Sequence, residues 1–432
     1  MYKRLSGLIL LFIGQLLFSQ KTYIWCGTLI DGISDEPRKN MTIVVEGNKI
    51  TAVENGFSKA GAADRVIDLR ANTVTPGWID CHVHLEGETK KGGFADRFTK
   101  NIEDLAFESV PLAETTLMAG FTTVRDLGGS GANIALRNAI NRGLVKGPRI
   151  YTAGKSIGTT GGHADPTNGY RRDLTEDPGP AEGVVNSKED GVKAVRQRYK
   201  EGSDLIKITA TGGVLSLAKN SQNPQFTEEE IKSIVATAKD YGFKVAAHAH
   251  GSEGMKRAIR AGVNSIEHGT FMDDEAIALF KEYGTWYVPT ITAGKAVGDS
   301  AKIPGYYAAI VTPKALEVGP QIQNTFAKAY KAGVKIAFGT DAGVYKHGQN
   351  WMEFVYMTEA GMKPMEAIKC ATVHAADLLG EKEKLGSIEP GKLADIVAVD
   401  GDPLKDTRVF GKVIFVMKDG VVYKLSKPQA KL

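Results

Sequence analysis

Apolar positions along the chain follow two periods, and the switches between them outline the architecture. Eight strand-like apolar runs, at 73–84, 122–127, 148–154, 204–211, 244–250, 264–268, 286–292 and 335–341, alternate with segments whose apolar residues recur every three to four positions. Strands alternating with helices are the cadence of a parallel barrel. In the segment from Glu228 to Tyr241, Ile231, Ile234, Val235 and Ala238 share one helical face, behind a capping box of Thr227 and Glu230. Residues 22–75 read instead with period two, broken by turn residues such as Gly47-Asn48, and the same texture returns after Gly386. The expected class is α/β: a (β/α)8 TIM-like barrel over 76–384, with a small β-sandwich domain built from 21–75 and 385–432.

Residues 1–20 stand apart from this pattern. Lys3 and Arg4 precede an apolar stretch from Leu8 to Phe18 that is too short to span a bilayer, the form of an export signal. We therefore expect an exported, periplasmic protein without stable membrane insertion. Its three cysteines, Cys26, Cys81 and Cys370, are an odd number, which argues against a disulfide framework and for small buried apolar residues. The formal charge is +4, with Lys and Arg scattered, so nothing points to nucleic acid. A small molecule is the expected partner, and a homo-oligomer is compatible with the composition.

Four of the eight histidines, His82, His84, His248 and His268, fall at or near the ends of three strand runs, where a barrel places its chemistry. In Asp80-Cys-His-Val-His84 the two histidines are two residues apart, so on a strand both face one side and can grip one metal ion. His248 and His268 end the fifth and sixth runs. The eighth ends in Asp341, flanked by small residues, where a carboxylate can bind a metal and accept a proton from water. Lys207 shares a strand face with Leu205 and Thr209. If that face is interior, the cation lacks a carboxylate partner in its strand and its charge must change, by carbamylation for example; if not, the side chain reaches past a helix to solvent.

These residues carry a resemblance to the amidohydrolase superfamily, in its branch of imidazolonepropionase-like enzymes and Xaa-Pro dipeptidases. The motifs are Pro76-Gly-Trp-Ile-Asp-Cys-His-Val-His84, Thr211-Gly-Gly-Val-Leu-Ser216 after the strand of Lys207, His248, Glu267-His268-Gly269, Gly339-Thr-Asp341 and Gly386-Ser-Ile-Glu-Pro-Gly-Lys-Leu-Ala-Asp395. The resemblance implies two divalent ions, zinc by preference. His82, His84 and Asp341 would hold one and His248 and His268 the other, with Lys207 bridging them as N6-carboxylysine. It also implies cleavage of a C–N amide bond by metal-activated hydroxide, with dipeptides or N-acyl amino acids as substrates. A mononuclear cyclic amidase or deaminase, and a non-catalytic binding protein on the same barrel, are the alternatives.

Substrate selection falls to the loops after the strands. The stretch from Gly158 to Tyr170, Pro- and Gly-rich to about residue 184, is long enough to be a lid or binding element. His163 in this loop resembles a substrate-holding histidine of related dipeptidases, which makes it a candidate for the substrate carbonyl or carboxylate. His250 is a second candidate, and Arg171 or Arg172 can pair with a carboxylate. Leu217-Ala-Lys-Asn220 departs from the Pro-Thr-Asp type of sequence in this branch.

Overall fold

The structure, a computed structural model, describes residues 20–426, so the export segment expected at 1–20 lies outside the described residues except for Gln20. The chain opens with β1 (Lys21–Leu29), β2 (Arg38–Glu46), β3 (Lys49–Asn55) and β4 (Arg65–Pro76). Next come β5 (Trp78–Val83), β6 (Phe121–Asp126), β7 (Arg149–Thr152), β8 (Ile206–Thr209), β9 (Val245–Ala249), β10 (Ser265–His268) and β11 (Trp286–Val288). The final strands are β12 (Ile396–Val399), β13 (Val413–Lys418) and β14 (Val421–Leu425).

Both chain ends contribute to one seven-stranded mixed sheet, ordered β14-β13-β12-β4-β1-β2-β3. Where a sandwich was expected, the hydrogen bonding makes a single continuous sheet that folds back on itself. Its β2–β3 hairpin, turning at Gly47-Asn48, returns to residues 391–394 through Ile50 N–H to Lys392 O and Ala394 N–H to Asn48 O. The alternating apolar side chains, among them Ile24, Cys26, Ile43, Leu69, Ile396 and Phe415, fill the enclosed core. All three cysteines are free and buried, as their small apolar character requires.

Strands β5 to β11 form two parallel arcs, β5-β6-β7 and β8-β9-β10-β11. Each of β5, β6, β8, β9 and β10 is buried along its whole length, because helices cover one face and the opposing strands the other. Isolated bridges join the arcs at both seams, Ile157 to Ile208 on one side and Tyr287 to Ile336 and Val83 to Ala342 on the other. The run 335–341 thus takes the expected eighth place without a regular ladder. It is tied to β5 by Cys81 N–H to Phe338 O and Asp341 N–H to His82 O.

The first run, read as one strand from 73 to 84, is divided. Residues up to Pro76 belong to the seven-stranded sheet, and the parallel arc begins at Trp78. Gly77 marks the division because a Cβ there would lie 2.2 Å from the Thr122 hydroxyl. Trp78 then anchors the junction, packing edge-on against Phe121, Phe354 and Phe410. The helix Glu228–Asp240 carries the expected capping box and buries Ile231, Ile234 and Ala238.

Glu353, fully buried at the start of the helix Ile291–Ala301, accepts hydrogen bonds from Ile291 N–H, Thr292 N–H and the Thr292 hydroxyl. Burial pushes its carboxyl up to about 7 against these three donors. The folded protein therefore holds this proton more tightly than the unfolded chain. The associated stability is complete below the ordinary glutamate range and is lost as pH rises through about 7. Urea unfolding of the parent between pH 5 and 8 should show a fall of roughly 3 kcal/mol from this group. Glu353→Gln, less stable at low pH because its amide faces N–H donors, should show a correspondingly flatter profile.

Candidate active site

The C-terminal ends of the parallel strands open into a cavity of about 830 Å³ lined by six of the eight histidines: His82, His84, His163, His248, His250 and His268. Lys207 and Asp341 line it as well. Strand geometry explains the convergence: residues two apart on β5 and on β9 point the same way, and neighbouring parallel strands bring their ends level.

Two groups of ligating atoms lie within 4.8 Å of one another, His82 with His268 and Asp341, and His248 with His250 and His268. Asp341 Oδ1 is 3.5 Å from His82 Nε2 and 3.3 Å from His84 Nε2, yet it is buried without a hydrogen bond among the described residues. An orphaned buried carboxylate oxygen facing imidazole nitrogens fits a cation-binding site.

The outer nitrogens are held by partners that fix each ring. His82 Nδ1–H donates to Glu267 Oε2 at 3.0 Å, and His84 Nδ1–H to Gly128 O at 2.7 Å. His248 Nε2–H donates to Gly212 O at 3.0 Å. His268 Nδ1 shares a hydrogen bond with the Thr290 hydroxyl, and His250 Nδ1 with that of Thr270, both at 2.8 Å. In each ring the nitrogen that remains is available to the cavity.

Burial drives His82, His248 and His268 well below the ordinary histidine range, and His163 and His250 down to about 3. These five imidazoles are therefore neutral at physiological pH and carry lone pairs suited to a metal or a substrate proton. Burial raises the Asp341 carboxyl, but His82 and His84 outweigh it and hold the group ionised below the usual range.

Lys207 is 4% exposed, with Nζ 3.5 Å from His82 Nε2 and, among the described residues, no carboxylate within ion-pair distance. Its side chain faces the cavity and does not reach past a helix to solvent. Burial pushes the amine down to about 8, opposed by Glu267 and Asp341.

Three residues here adopt the left-handed backbone that non-glycine side chains rarely take: His268 (φ 70°), Thr290 (φ 52°) and Asp341 (φ 59°). Each such residue stores about 1–3 kcal/mol. The strain aims His268 and Asp341 at the same small volume and sets Thr290 behind His268.

His163 enters the cavity from the long loop, stacked on His248 with ring centres 4.4 Å apart and a buried Nδ1 that has no partner. Gly213 makes this seat possible, since a Cβ there would come within 2.1 Å of the His163 ring. His250 is also in the cavity, stacked on His268. Arg171 and Arg172 are not brought to it. Both are exposed, and Arg171 is spent on Asp173 two residues along, a partner that needs no fold to reach. Two residues without a sequence-based role complete the site: Arg125 donates to Glu267 Oε1 at 2.8 Å, and Glu267 in turn orients His82. Their sequence sign is a charged residue within a strand run, Arg125 in Phe121–Asp126 and Glu267 in Ser265–His268.

The Amidohydrolase family model matches residues 73–423. The chain belongs to the amidohydrolase family. As an amidohydrolase it is a hydrolase of amide carbon–nitrogen bonds, and the family is in general metal-dependent. It is 32% identical to the ochratoxinase of Aspergillus niger, over 93% of this chain and 86% of that one. Among solved structures, it superposes with a TM-score of 0.92 on a Xaa-Pro dipeptidase with methionine bound in its active site, at 55% identity, covering 94% of this chain and 100% of the other. A prolidase complexed with N-methylphosphonate-L-proline gives a TM-score of 0.84 at 31% identity, covering 94% of this amidohydrolase and 100% of the prolidase.

Proposed function

We propose that this amidohydrolase is a binuclear metal-dependent dipeptidase that also accepts N-acyl amino acids. The observation that carries the reading is the convergence of neutral imidazoles, an orphaned Asp341 oxygen and the buried Lys207 amine on one cavity floor. The likeness to a Xaa-Pro dipeptidase and to a prolidase supports it. The two parallel arcs and the segment 335–341 are read as one (β/α)8 barrel, and the folded-back sheet as its sandwich-like companion.

His82, His84 and Asp341 would hold one divalent ion, and His248 and His268 the other. Zinc suits this set of nitrogen and oxygen donors. Lys207 would bridge them as a carbamate, formed when its neutral amine adds to carbon dioxide and releases a proton, which turns an uncompensated cation into an anion. Ions held there supply the charge that polarises an amide carbonyl and acidifies water. Asp341 takes the proton from the attacking water and delivers it to the departing nitrogen. His163, neutral and with Nδ1 free, is placed to hydrogen-bond the substrate. The apolar stretch after Lys3 and Arg4 supports export to the periplasm as the place of action.

The test is a panel of dipeptides and N-acyl amino acids assayed on zinc-loaded protein, with metal counted per chain. About two ions with turnover of the panel is the expected result. One ion, and turnover confined to cyclic amides or amino-heterocycles, would transfer the chain to a mononuclear mechanism.

A further inference from the structure

The cavity has two unlike walls. One is apolar, formed by Ala293 and Val297 of the helix Ile291–Ala301 and by Val318 and Ile322 of the helix Thr312–Lys331. These helices approach through glycines: a Cβ on Gly298 would sit 3.2 Å from Gly319 Cα, and one on Gly294 would strike Ile322 at 2.5 Å. So close a crossing makes this wall a fixed surface. The other wall is polar and follows β6 and β7, with Gly129, Ser130, Lys155 and Ser156.

Most charges around the cavity are already matched. Glu86 accepts from Ser130 N–H and Asn133 N–H, Asp165 from Gly161 N–H, Thr167 N–H and the Thr167 hydroxyl, and Glu182 from Gly179 N–H. Asp96 pairs with Lys90 and Lys100, and Lys100 also with Glu108. Arg97 is exposed and lies over the Phe94 ring. Lys155 differs: half-buried on the polar wall, it has neither an ion pair nor a hydrogen-bond acceptor among the described residues. An ammonium partly withdrawn from water without a partner is unfavourable until an anion completes it.

We propose that Lys155 anchors the α-carboxylate of the substrate's leaving amino acid, while the apolar wall opposite receives an aliphatic side chain. The substrate class is then an N-acyl or N-aminoacyl aliphatic amino acid with a free carboxyl group. The inference rests on the amide-hydrolase reading of the same site, and it replaces Arg171 and Arg172 as the carboxylate partner.

The experiment compares alanyl-methionine, alanyl-methionine amide and glutamyl-methionine amide as substrates for zinc-loaded parent, Lys155→Met and Lys155→Arg. The parent should prefer the acid to the alanyl amide. Lys155→Met should cut that preference about 30-fold, mainly through KM, the scale expected for loss of one charge-assisted hydrogen bond. Lys155→Arg should keep most of it. An unchanged acid-to-amide ratio in Lys155→Met overturns the proposal. A parent that prefers the glutamyl amide through Lys155 overturns the α-carboxylate assignment in favour of a side-chain carboxylate. Binding of N-acetylmethionine, measured by calorimetry, separates this inference from the hydrolytic one. If no amide is turned over but N-acetylmethionine binds the parent and loses about 30-fold in Lys155→Met, the anchor stands and the dipeptidase reading falls; if Lys155→Met binds it as tightly as the parent, the anchor falls.

Discussion

Lys207→Ala is expected to reduce bound metal from about two ions per chain to one or none, and to lower kcat by roughly a thousandfold or more. Lys207 reaches the imidazole cluster at His82, and the residue is 4% exposed. Without the proposed carbamate, the bridge between the His82–His84–Asp341 and His248–His268 positions would be gone, and each ion would lose an anionic ligand. Elemental analysis after purification in zinc and bicarbonate reads the loss directly. A carbamate resonance from ¹³C-bicarbonate should be present in the parent and missing from the variant. Acetate, which can occupy the space the lysine vacates and supply two oxygens, should restore part of the metal content. Two ions retained in Lys207→Ala would remove the bridge from the mechanism and leave a buried lysine that needs another explanation.

Asp341→Asn should lower kcat about 10²- to 10⁴-fold, the range for removing a general acid–base group, with KM changed far less. The substitution is chosen for its backbone. Asp341 sits at φ 59°, a region that asparagine tolerates better than any other residue with a side chain of this shape, so the barrel end keeps its geometry. What disappears is the ionised oxygen that faces His82 and His84, proposed both to hold an ion and to move the proton, so kcat is compared on protein with its metal counted. Thermal unfolding should change little, and stopped assays should show that substrate still binds. A variant with near-parental kcat would mean that another group moves the proton, and His163 would be the next to replace.

Several parts of this molecule are legible locally. His82 and His84 share a strand face because β structure repeats every two residues, and the capping box at Thr227 and Glu230 acts within one turn of helix. The strand and helix cadence identifies the parallel arcs because each period records which faces must be buried. The Gly47-Asn48 turn likewise needs nothing beyond its neighbours. Even the division at Gly77 leaves a trace, a glycine between two apolar strands, although only the packing of Thr122 shows why no side chain fits there.

Other features depend on distances between residues far apart in the chain, which no local pattern encodes. Glu267 lies 185 residues from His82 and orients it only because the ring of strands closes. His250 joins His248 and His268 in a metal-capable group because β9 and β10 run in register. The strained conformations of His268, Thr290 and Asp341 are imposed by the packing around them. The cation proposed to meet the substrate shows the limit most plainly. Arg171 and Arg172, near the end of the long loop, were offered by the sequence as carboxylate partners beside His163 and His250, but a long flexible side chain takes whatever partner the fold puts in reach. For Arg171 that partner is Asp173, and Lys155, unremarkable in the sequence, is left facing the cavity without one among the described residues. Local periodicity and motif chemistry determined the class and singled out most of the candidate metal-binding residues; tertiary packing decided which charges stay unpaired among the described residues, because neutralisation depends on contacts and not on order along the chain.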